Sequence, residues 1–108
     1  MLRQLRVKIN GDVWRVRYLK TKTFNAAHGA HRSAVTWYDH KKGKRFIDFK
    51  CSDFCLSHVR HEVMHAYLSY RDFVKKGYGE IEEMVAETYG AKENAMRNTW
   101  KFIWGAFK

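Results

Sequence analysis

The sequence predicts an α+β fold in which two antiparallel β-hairpins, about four strands, precede two helices. Three observations carry that prediction. Apolar residues alternate with polar ones in two stretches, Leu5 to Tyr18 and Val35 to Phe49, the apolar period lengthens to about 3.6 from Asp53 onward, and the glycine-bearing stretch KKGYGE divides the helical part in two.

The first hairpin is set by Asn10-Gly11, which supplies the two positive-φ residues of a tight turn between Leu5, Val7, Ile9 and Trp14, Val16, Tyr18. Pairing across that turn puts Val7 opposite Trp14 and Leu5 opposite Val16 on an apolar face. Arg6 then meets Arg15 on the other face, where water screens them. With Arg3, Lys8 and Arg17 these arginines make a basic hairpin face that offers a nucleic-acid contact.

Residues 21–34 show no sustained period and contain Gly29, so they are assigned to a loop with one helical turn at most. A second hairpin joins VTWYD to RFIDF through HKKGK, a closure that stacks Trp37 on Ile47 and Val35 on Phe49.

From Asp53 the stripe Leu56, Val59, Val63, Ala66, Tyr67, Tyr70 and Val74 predicts a long helix with Ser52 or Asp53 as N-cap. Gly77 and Gly79 end it, and Lys75 and Lys76 suit a helix C-terminus. A last helix begins near Glu80, its acidic first turn favoured by the helix dipole. Ile81, Met84, Val85, Tyr89, Met96, Trp100, Ile103 and Trp104 recur at helical spacing along it. Trp100, Phe102, Ile103, Trp104 and Phe107 cover more than one face of that helix, which offers a partner or self-association contact.

At 108 residues the chain is read as a single domain, 1–108, with one core. Hydrophobic residues at 45% are enough to offset chain entropy, which excludes a disordered chain. No apolar run approaches the roughly 20 residues that span a bilayer, and the start is not a signal peptide, so a cytoplasmic protein without a membrane association is expected. Cys51 and Cys55 are too few for a disulfide framework and are expected as free thiols. The net charge of +10 favours polyanionic partners but specifies no chemistry.

The chemistry-bearing element is HEVMH. His61 and His65, four apart on a helix, lie one above the other and can both present an imidazole nitrogen to one Zn²⁺. Glu62 follows the first histidine directly and suits the general base that deprotonates a water at the metal's open position. A catalytic zinc site usually takes three protein ligands, so a further donor is required downstream. Glu83 is the best candidate. Glu87, four residues on and on the same face, would accept the remaining N–H of a ligand histidine and fix its tautomer.

HEVMH followed by EEMVAE resembles the gluzincin zinc peptidases, which pair HExxH with an ExxxD-type helix. Glu83 to Glu87 matches that second motif, with Glu87 where the family has aspartate. The size and the HEVMHAY wording are most similar to the minimal peptidases of phages and mobile elements, a likeness covering roughly residues 35–90. It implies a zincin-like fold, a peptide or protein substrate bound along a strand of the 35–49 hairpin, hydrolysis of its peptide bonds, and host cytoplasm as the location if the chain is phage-encoded.

Two other readings compete. Cys51, Cys55, His58 and His61 form C-x3-C-x2-H-x2-H, a set that could close a structural zinc site. More broadly, the chain could be a non-catalytic, zinc-stabilised basic module that binds nucleic acid or a protein partner. Tyr67, Tyr70, Tyr78, Tyr89, His28, His31 and His58 are the side chains available to stabilise an oxyanion, and nothing in the sequence ranks them.

Overall fold

The computed structural model describes residues 3–68 and 93–108 in full and residues 78–92 as helical backbone. Strands β1 (Arg3–Ile9) and β2 (Asp12–Leu19) form the first hairpin, with Asn10 at φ 52° and Gly11 at φ 83° as its two-residue turn. The register is the one the turn dictates: Leu5 faces Val16, Arg6 faces Arg15 and Val7 faces Trp14.

Helix α1 (Thr21–His28) follows, where the sequence suggested a loop. Its helical stripe is short, Phe24 and His28, but Phe24 is fully buried against Leu19 and Val35. Tertiary contact rather than propensity sustains so short a helix.

Strands β3 (Ala34–Asp39) and β4 (Lys44–Lys50) form the second hairpin, and the sheet order is β1-β2-β4-β3. The sheet is therefore mixed, because β4 lies parallel to β2 between two antiparallel pairs, whereas the sequence suggested antiparallel pairing throughout. Parallel neighbours cannot be joined by a tight turn. The chain leaving β2 must step past the place β4 will fill, and α1 makes that step.

The second hairpin also closes one residue tighter than HKKGK implied. Asp39 pairs with Lys44, and Gly43, at φ 64°, donates its N–H to Asp39 O at 2.8 Å. Asp39 Oδ1 accepts the backbone N–H groups of Lys41 and Lys42 at 3.0 and 3.1 Å, which fixes a four-residue loop. Trp37 consequently stacks on Phe46, with ring centroids 4.7 Å apart, and Thr36 stands opposite Ile47. A one-residue slip exchanges the two faces of a strand, so Thr36 instead of Trp37 points to the helical side.

After a 3-10 turn at Cys51–Asp53, helix α2 (Leu56–Tyr67) starts with Cys55 rather than Ser52 or Asp53 as its cap. Phe54 explains the delay: its ring sits 5.2 Å from Tyr18, 5.4 Å from Phe49 and 5.2 Å from Trp104, and reaching that cluster keeps its backbone extended. Helix α3 (Tyr78–Phe107) runs unbroken through Gly90. The expected end of α2 at Tyr70 and Val74, and the KKG part of the connection, lie outside the described residues.

The core fills the space between one sheet face and the two long helices. Val16, Ile47 and Phe49 from the sheet, Val59 and Val63 from α2, and Ile103 from α3 are all fully buried, each contributing roughly 1.5–3 kcal/mol. Trp100 and Trp104 pack against the same core and Phe107 is buried, so most of the aromatic C-terminus is absorbed internally and Phe102 alone of that group is exposed.

The opposite sheet face differs from the basic surface drawn from the sequence. Arg3 has the wrong strand parity for it and donates Nη1 to Phe107 O at 3.1 Å on the helical side. Arg17 is committed to Asp48, with Nε to Oδ1 and Nη2 to Oδ2 both at 2.7 Å. Asp48 has no exposure, and His28 Nε2 and Trp37 Nε1 also approach its Oδ2 at 2.8 and 2.9 Å. A buried carboxylate is tolerated only with such a shell of donors.

Candidate metal centre

Helix α2 presents Val59, Val63, Ala66 and Tyr67 to the core, and Glu62 falls within the same arc because it is three residues beyond Val59. A carboxylate at a core position needs a hydrogen-bond partner. Thr36 provides it from β3, donating its hydroxyl to Glu62 Oε1 at 2.8 Å, while Glu62 as a residue is 7% exposed. The same hydroxyl lies 3.3 Å from Glu62 O. One proton cannot serve both, and the shorter, charge-assisted contact takes it.

His61 and His65 stand on the flank of α2, His61 exposed and His65 partly buried. Their Nε2 atoms are 2.9 Å apart and their rings lie edge to face with centroids 4.6 Å apart. Glu62 Oε2 is 3.9 Å from His61 Nε2. Burial pushes the His65 pKa down, the Glu62 charge opposes that, and the neighbouring His61 adds to it. The balance favours a neutral ring with a lone pair available for a metal.

The donor set fits a zinc ion. Tetrahedral angles with Zn–N bonds of about 2.05 Å require two ligating nitrogens about 3.3 Å apart. The observed 2.9 Å needs only a small opening of the rings. Facing nitrogens at that distance must share one proton when no metal is present, and a cation drawing on both lone pairs would replace it. Among the described residues, His61, Glu62 and His65 are the one group of histidine, cysteine and carboxylate side chains close enough to hold an ion, with ligand atoms within 4.8 Å of one another.

The competing C-x3-C-x2-H-x2-H set is not assembled. Cys51 Sγ contacts Thr21 Oγ1 at 3.6 Å, and Cys55 Sγ contacts Ser57 Oγ at 3.2 Å. His58 Nδ1 lies 3.1 Å from Asp53 O. The Ser57 hydroxyl, helped by the His58 backbone N–H, lowers the Cys55 pKa, but no second thiol or imidazole joins it.

Glu83 and Glu87, the expected third ligand and its supporting acid, lie on the first turns of α3, and their side chains are outside the described residues. Helices α2 and α3 pack together, so the element that carries them is beside the histidines. Glu93, the described carboxylate on α3, shares a cavity of about 330 Å³ with His61 and Met64 but is paired to Arg97 at 3.0 Å.

A groove of about 350 Å³ runs along the site, with Arg32, Ala34 and Thr36 on one wall and His61, Glu62 and His65 on the other. Strand β3 is an edge strand, so among the described residues nothing pairs with its outer backbone. Thr36 and Arg32 carried no signal in the sequence that tied them to HEVMH, and only the register of β3 could have found the threonine.

Of the oxyanion candidates, Tyr67 is buried with its hydroxyl 2.8 Å from Thr99 Oγ1, and His28 is on the far side of the sheet with Asp48. His58 is held at the start of α2, and His31 is exposed in the loop before β3. Tyr70 lies outside the described residues, as do the side chains of Tyr78 and Tyr89.

Comparison with protein-family models, curated protein sequences and solved structures finds no match.

Proposed function

We propose that this chain is a zinc-dependent peptidase of the gluzincin type, with Glu62 as general base. The observation that carries the reading is the convergence of the two Nε2 atoms of α2, 2.9 Å apart, with a buried carboxylate beside an edge strand of the sheet. His61 and His65 would hold the zinc through Nε2. Glu83 would complete the protein ligands, and Glu87 would orient one of the imidazoles. Zinc, when bound, would act as a Lewis acid toward the scissile carbonyl and make a water acidic enough to attack at neutral pH.

The chain's own residues would do the rest. Glu62 would accept the proton of the attacking water at Oε2, the oxygen not engaged by Thr36, and return it to the departing amine. Burial and the Thr36 hydroxyl would keep the carboxylate from swinging out of line. An extended peptide would pair along the outer edge of β3, leaving alternate side chains to face the groove walls. The two free thiols suit a reducing compartment, and we take the cytoplasm as the site of action. Among the described residues no helix is long and apolar enough to cross a membrane.

The test is Glu62→Gln. The variant should bind zinc with the stoichiometry of the wild type and lose hydrolysis of an unstructured protein substrate by about 100-fold or more, because the base is lost and the ligands are kept. Wild type that binds zinc yet cleaves nothing across a broad peptide library would overturn the reading in favour of a non-catalytic, zinc-stabilised binding module.

A further inference from the structure

The sheet face remote from α2 and α3 carries charge that the peptidase reading does not use. Arg6 and Arg15 are directly opposite one another in the β1–β2 register. Lys8 lies two residues from Arg6 on the same face, and strand alternation puts Lys44 of β4 there as well. Arg6 and Lys8 are exposed and Arg15 and Lys44 are partly so. Among the described residues none of the four is in an ion pair.

The acids of the sheet are spent elsewhere. Asp48 is buried under Arg17, Asp39 turns its Oδ1 into the loop after β3, and Asp12 lies on the helical face near Arg45. A like-charged pair held directly opposite costs stability, and among the described residues nothing requires arginine at both positions.

We propose that this face binds the phosphate backbone of nucleic acid without reading its bases. Cations fixed on neighbouring strands about 4.8 Å apart form a rigid array, and neutralising phosphates with them releases condensed counterions, the main source of sequence-independent affinity. Guanidinium groups are suited to bidentate contact with phosphate oxygens. An acidic protein would be a poorer occupant, because protein interfaces depend on apolar or aromatic anchors. Beside these cations the one large apolar side chain left exposed on the hairpin is Val13. The array and the zinc groove are on opposite faces, and β1 and β3 are opposite edges of the sheet, so a bound nucleic acid would leave the groove open.

The test needs neither zinc nor hydrolysis, so it can fail while the peptidase reading stands, and the reverse. Fluorescence anisotropy with labelled DNA duplexes of unrelated sequence, and with their single strands, would be followed as salt is raised. Wild type should bind unrelated duplexes alike. The triple variant R6Q/K8Q/R15Q should bind about tenfold or more weakly near 0.1 M salt, and its log–log salt slope should fall by about 2.7 for duplex DNA. Its melting temperature should be unchanged or higher, since the opposed charges are gone, which separates lost binding from lost folding. Removing three charges from the helical side, R97Q/K101Q/K108Q, should leave most of the slope in place. An equal loss in both variants, or equally tight binding of poly-glutamate by wild type, would overturn the proposal.

Discussion

Thr36 Oγ1 donates to Glu62 Oε1 at 2.8 Å across the junction of the edge strand β3 and helix α2, 26 residues apart in the chain. Among the described residues Thr36 is the one side-chain donor to this buried carboxylate, and the contact leaves Oε2 turned toward His61. A hydrogen bond to an ionised group contributes roughly 1.5–3 kcal/mol.

On the proposed peptidase reading, Thr36→Val should therefore reduce kcat for peptide hydrolysis by about tenfold or more, with zinc content unchanged. Thr36→Ser should restore the rate. A valine variant with the wild-type rate would remove Thr36 from the proposed catalytic arrangement.

The same contact marks the limit of what the sequence could reveal. The first hairpin was legible because Asn10 and Gly11 fix a two-residue turn, and a two-residue turn leaves one register. The second closes one residue tighter than apolar alternation implies, because its closure depends on the Asp39 side chain capping the loop amides and on Gly43 at positive φ, neither of which that alternation reports. That slip concealed Thr36. Likewise α1 has too few apolar residues to show a period, and the parallel pairing of β2 with β4 follows from where α1 carries the chain. His61, Glu62 and His65 were legible for the opposite reason, since their geometry is local to one helical turn.

Arg17 and Asp48 give a stability prediction independent of any chemistry. Asp48 is fully buried, and Arg17 supplies two of its four close contacts, both at 2.7 Å. Arg17→Met should destabilise the fold by about 3 kcal/mol, since removing one partner leaves a buried charge under-compensated. For a domain of this size that corresponds to a fall in Tm of at least about 10 °C. Replacing both, R17M/D48L, should recover a large part of the loss, because an apolar pair of similar volume leaves no charge to desolvate. If the double variant melted no higher than the single one in calorimetry, the loss would lie in packing or in the His28 and Trp37 ring N–H groups left without their Asp48 acceptor.

Glu83 can be tested without a view of its side chain, because helix geometry separates it from its neighbours. Glu82 and Glu83 are successive on α3, so their side chains diverge by about 100° around the helix axis and only one of them can face α2 squarely. Composition, charge and the dipole preference for acids in a first helical turn are the same for both. If Glu83 closes the coordination shell, Glu83→Ala should lose zinc to a chelator at a concentration at least about tenfold lower than wild type does, the scale of loss expected even for a group that only supports a ligand. Glu82→Ala should titrate with wild type. Zinc retained equally by the two variants would take Glu83 out of the ligand set, and zinc lost only from the Glu82 variant would move the role one position along the helix.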